Sequence, residues 1–103
     1  MITAYIARSD MARTLETLSP GTSVFAGPTL VGTVSGLYTE AGSRGVELVV
    51  VHWDARGEDV AVPSAEVESI DDAGVHLMRH EASQCGDLAP FDAATFPTMQ
   101  KFA

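Results

Sequence analysis

Two hydrophobic rhythms divide this chain. Near its start Ile2, Ala4 and Ile6 alternate with Thr3 and Tyr5 as in a short strand. Ser9 or Asp10 then precedes apolar residues Met11, Leu15 and Leu18 at i, i+4 and i+7, which predicts a capped helix stopped by Pro20-Gly21. Two turns of helix are marginal alone, so this piece must pack on something to persist. From residue 22 onward the pattern turns into short β-type runs over residues 22–26, 30–38, 46–53, 60–62 and 75–78, divided by polar, Gly- and Pro-containing turns. Gly32 and Gly36 interrupt the second run, as at a bulge or at the sharp bend of a small barrel. Residues 40–45 read as a hairpin loop.

Residues 46–53 form the most apolar stretch. Val46, Leu48 and Val50 fall on one side and Val49, Val51 and Trp53 on the other, which predicts a central strand covered on both faces. Residues 64–70 have room for one helical turn, and Asp71-Asp72-Ala73-Gly74 reads as a turn. The predicted core is Val24, Leu30, Val34, Leu48, Val50, Val62, Val67, Ile70 and Leu77. Beyond Arg79 the rhythm fades, yet Phe91, Phe96 and Phe102 recur among Gly86, Pro90 and Pro97. The expectation there is an irregular tail that lays aromatic anchors across the domain or across a neighbour. The division is an extension over residues 1–20, a β domain over 21–80 and a tail over 81–103.

At 103 residues the chain suffices for one closed core. Its 46% hydrophobic and 19% charged content is ordinary globular usage. The charge balance changes the picture more: six Lys plus Arg against 14 Asp plus Glu give a formal −8. Such a surface repels phosphate backbones, which argues against direct binding to nucleic acid or to an anionic membrane. Cys85 is the single cysteine, so neither an intramolecular disulfide nor a cysteine cluster is available. No basic segment leads into an apolar core near Met1, and no apolar run approaches the roughly 18 residues of a membrane span, so the expected compartment is the cytoplasm.

Candidate chemistry is sparse. Gly27-Pro28-Thr29-Leu30-Val31-Gly32 has the glycine spacing of a phosphate loop, but Thr33 and Val34 stand where lysine and a hydroxyl residue are needed. Ser35 and Ser43 lie near glycines without the G-x-S-x-G pattern of a nucleophile elbow. A metal site from His76, His80 and Cys85 is the sharpest alternative, because on a helix His76 and His80 would share a face. Residues 75–78 read as a strand, however, where four residues span about 13 Å, too far for one ion. Asp54, Glu58, Asp59, Glu66, Glu68, Asp71 and Asp72 face only Arg56 within their stretch, which predicts a negatively charged rim. Glu58, Asp59, Glu66 and Glu68 are its candidate partner-binding residues.

Residues 20–79 resemble the PRC-barrel family, named for the H subunit of the photosynthetic reaction centre. The matching features are Ser23-Val24-Phe25, the turn glycine Gly27, Val31-Gly32-Thr33-Val34 and the apolar run from Val46 to Val51. They continue through Val62-Pro63-Ser64-Ala65-Glu66-Val67-Glu68-Ser69-Ile70-Asp71 and close on Gly74-Val75-His76-Leu77. The resemblance implies a mainly β fold: a small, strongly bent SH3-like barrel, here with a short N-terminal helix and an irregular C-terminal tail. It also implies a binding or assembly module rather than an enzyme, with no catalytic residues and no cofactor to carry over. The expected partners are a basic protein and a second copy of the chain.

Overall fold

The computed structural model describes residues 15–40, 45–79, 88–92 and 99–102. They form a mainly β fold. Its strands are β1 (Ser23–Ala26), β2 (Thr29–Glu40), β3 (Leu48–Trp53), β4 (Glu58–Pro63), β5 (Val67–Asp71), β6 (Gly74–Leu77) and β7 (Met99–Lys101), with a short 3₁₀ turn over Ser64–Glu66 before β5. The spatial order is β4-β3-β2-β1-β6-β5, and β7 also pairs with β2. All pairings are antiparallel except β1 with β6. Among the described residues no pairing joins β4 to β5, so hydrogen bonds leave the sheet open. The predicted helix capped at Ser9 or Asp10 falls largely on residues outside those described, although Leu15 is buried in the core and Leu18 packs against it.

β2 organises the sheet. β3 runs along one edge of this 12-residue strand, while β1 and then β7 occupy the other. It reaches these partners through two breaks in register. One leaves Val31 as the extra residue between Gly32 and Leu30, and the other leaves Ser35 between Val34 and Gly36. Each bulge shifts the phase of the alternation, so Val31, Val34 and Leu37 all point inward. This corrects the placement of Leu30 in the core: Val31 takes the inward position and Leu30 is 52% exposed. Gly32 sits where β2 and β3 approach so closely that a Cβ would run into the His52 carbonyl.

β3 is covered on both faces, as its sequence predicts. Val49, Val51 and Trp53 enter the main core with Val24, Val34, Leu37, Val60, Val62, Val67, Val75 and Leu77. Leu48 and Val50 join Ala61 in a second cluster on the opposite face, covered by Tyr38, Phe91 and Met99. Two of these covers come from the tail. The Ala61 N–H donates to the Ala89 carbonyl and the Phe91 N–H to the Asp59 carbonyl, each at 2.8 Å, so residues 89–91 lie along the outer edge of β4. The Phe91 ring meets Tyr38 at 4.6 Å between centroids.

Further along the tail, β7 pairs with Tyr38–Glu40 and the Phe102 N–H donates to the Leu37 carbonyl at 2.7 Å. The tail lays its aromatic anchors Phe91 and Phe102 across the chain's own domain, as expected, and the one correction is that Met99–Lys101 adds a strand to the sheet, while Pro90 makes a single bridge to β4. Val67–Ile70 is corrected, from helical turn to strand, because β6 offers it an antiparallel partner and only Ser64–Glu66 keep the turn.

Candidate functional site

The groove beside β5 and β6 gathers the most chemistry. Asp71 ends β5 and caps the turn that follows: its Oδ1 accepts the N–H groups of Ala73 at 2.9 Å and Gly74 at 3.2 Å. Gly74 then starts β6 at φ 140°, so close to β1 that a Cβ would meet the Ser23 carbonyl. This tight return sets His76 opposite Ser69, and its Nε2 lies 2.9 Å from Asp71 Oδ1. A carboxylate only accepts, so the imidazole donates. The hydrogen bond from His76 is the main cause that holds the Asp71 carboxyl below its ordinary range, with the two turn N–H groups adding to it. On its β1 side His76 stacks on Phe25, with ring centroids 5.3 Å apart and planes 16° from parallel.

A cavity of about 440 Å³ opens at this point, lined by Gly27 and Pro28 from the β1–β2 turn, Glu68, Ser69 and Asp71 from β5, and His76 and Leu77 from β6. Glu68 is the extra residue where the β5–β6 register breaks between Val67 and Ser69. A bulge bends a strand and re-aims the side chain it carries. Its lining among the described residues holds two carboxylates, an imidazole and no lysine or arginine. Such a surface favours a cationic group over an anionic one.

A second polar cluster spans the outer face of the sheet. Ser35 on β2, His52 on β3 and Asp59 on β4 lie on successive strands. The Ser35 hydroxyl donates to Asp59 Oδ2 at 3.2 Å, and His52 Nδ1 is 3.1 Å from Asp59 Oδ1. The carboxylate stands between hydroxyl and imidazole, the reverse of the order that would let histidine activate a serine. Both the His52 and Asp59 side chains are largely exposed. This arrangement is a cross-strand polar network and lacks the geometry of a nucleophilic site.

The four predicted partner-binding acids occupy separate places. Glu58 and Asp59 open β4, while Glu66 follows its far end, about 17 Å along the strand at 3.3 Å per residue. Glu58 pairs with Arg56 at 2.6 Å, and Glu66 takes a two-pronged ion pair from Arg79 at 3.1 and 3.2 Å. Glu68 alone of the four lines the groove, beside Asp71. Of the alternative metal set, His76 lies on a strand and bonds Asp71, while His80 and Cys85 fall outside the described residues. Among the described residues no three His, Cys, Asp or Glu side chains gather as for a metal ion. The sequence reading missed the pairing of Asp71 with His76. The one usable signal was the Asp-Asp-Ala-Gly turn leading into the β-type run at 75–78; once Val67–Asp71 is seen as a strand, that turn sets residues five apart on facing strands.

Compared with protein-family models, with characterised proteins and with solved structures, the chain finds no match. Among the described residues no helix is long and apolar enough to cross a membrane.

Proposed function

We propose that this chain is a non-enzymatic protein-interaction module, built on a small PRC-barrel-like β domain, that docks a basic segment of a partner protein. The observation that carries this reading is the acidic groove between the β1–β2 turn and the β5–β6 hairpin. Glu68 and Asp71 line a common space of about 440 Å³. An arginine or lysine side chain entering the groove meets two carboxylates and the apolar flanks of Pro28 and Leu77. Opposite charge would speed encounter and set orientation more than it sets final affinity.

The test is capture of partners from a native lysate with the parent chain and with the Glu68→Gln/Asp71→Asn double variant as baits. Both positions are exposed, and asparagine can still cap the turn, so the variant should fold. The reading expects a basic protein on the parent that is depleted on the variant. Identical sets of captured proteins would overturn it.

A further inference from the structure

The outer edge of β4 offers a different kind of surface. Residues 88–91 are held there by the two backbone bonds through Ala89 and Phe91, and Arg56 Nη1 donates to the Leu88 carbonyl at 3.0 Å. Alternation along this segment sends Leu88 into the main core and Phe91 into the outer cluster. Ala89 lies on the same side as Phe91, opposite Ala61 on β4, and is exposed. A cavity of about 280 Å³ opens at this point, its apolar lining from Leu48, Ala61, Pro63, Leu88 and Ala89 and its polar wall from the Glu66–Arg79 ion pair. The edge is occupied, and one of its side-chain positions is underfilled.

We propose that the β4 edge is a receptor for an extended peptide strand, which the chain fills with its own residues 88–91, and that the preferred occupant is a partner segment with a larger aliphatic residue at the Ala89 position. The backbone bonds are indifferent to sequence, so any extended segment can make them; the pockets decide which one binds best. Leu88 and Phe91 define two of these pockets and the cavity beside Ala89 defines a third. A leucine there would remove apolar surface from water, in space already present. The resident segment is tethered and acts as a competitor at an effective concentration in the millimolar range. A displacing strand must therefore gain from that third pocket. This surface lies apart from the acidic groove and does not depend on it.

Two synthetic peptides make the test, Gly-Asp-Leu-Ala-Pro-Phe-Asp and the same sequence with leucine in place of alanine. Each is titrated by fluorescence anisotropy into the full-length Phe91→Ala variant, in which the resident strand has lost one anchor. Urea unfolding of the variant first establishes that it is folded. The proposal expects the leucine peptide to bind at least tenfold more tightly than the alanine peptide. Equal binding would overturn the proposed preference and point to exchange of tails between two copies. Absence of binding by both peptides to the folded variant would overturn the receptor itself. Should Phe91→Ala fail to fold, the full-length Ala89→Leu chain supplies the readout: a raised melting temperature supports a fillable third pocket, and an unchanged or lowered one contradicts it.

Discussion

The two ends of the sheet solve the problem of an exposed strand in opposite ways. At the β4 end, apolar residues from the tail cover Leu48 and Val50 and add backbone hydrogen bonds along the edge. At the β5–β6 end the chain places charge instead, with Asp71 tied to His76 and Glu68 raised on a bulge. The first end is held by burial and should tolerate salt and pH. At the second end Val67, Val75 and Leu77 hold the core, while the exposed charges contribute little to the fold and should answer to both.

The largest effect should come from the buried side of that comparison. Val50 is 2% exposed beneath the tail, so Val50→Asp buries an unpaired carboxylate and should cost several kcal/mol in urea unfolding. A variant that unfolds at the parent's midpoint would show that the tail does not seal this face. Phe91→Ala should cost less, about 2 kcal/mol, because the ring is only half-buried over the outer cluster. The same measurement would break the comparison if this loss matched that of Asp71→Asn.

The smallest effect should be at Asp71. Its carboxyl titrates below the ordinary 3.8, so the folded state favours the charged form. Any stability from this is present above that value and lost as pH falls through the lower folded value. Melting temperatures of the parent and of Asp71→Asn should therefore differ slightly near neutrality and converge under acid. A gap that stays constant from pH 7 to about 2, well below the ordinary carboxylate range, would remove ionisation as its cause.

Much of this was legible along the chain. The strands around Val24, Val34, Val50, Val62 and Val75 were visible because β-branched runs between turn residues have few other uses. The double cover of β3 followed from its lack of alternation. Leu30 was misplaced because Gly32 and Gly36 mark that the strand bulges without marking which residue is the extra one, and a shift of one residue exchanges the two faces. The strand at Val67–Asp71 was hidden by acids and serines that local propensity assigns to a turn; its partner β6 decides the matter. β7 was hidden because Met99, Gln100 and Lys101 carry no β signal of their own. In the groove, Glu68 was named from its charge alone. Its neighbour Asp71 and the stacked pair of His76 and Phe25 depend on register and on the parallel contact of β1 with β6, which no local pattern encodes.

The central claim, that the β5–β6 end recognises basic chain, is tested most directly by amide chemical shifts of the ¹⁵N-labelled protein titrated with a decapeptide of alternating lysine and arginine. The titration is run at low salt and again at about 0.15 M, where the Debye length is about 8 Å. The account predicts shifts concentrated at Gly27, Ser69, His76 and Leu77, weakened by salt and absent in the Glu68→Gln/Asp71→Asn variant. Shifts spread evenly over Asp54, Glu58 and Asp59 as well, or surviving intact in the double variant, would contradict it and leave the acids as a general solubilising charge.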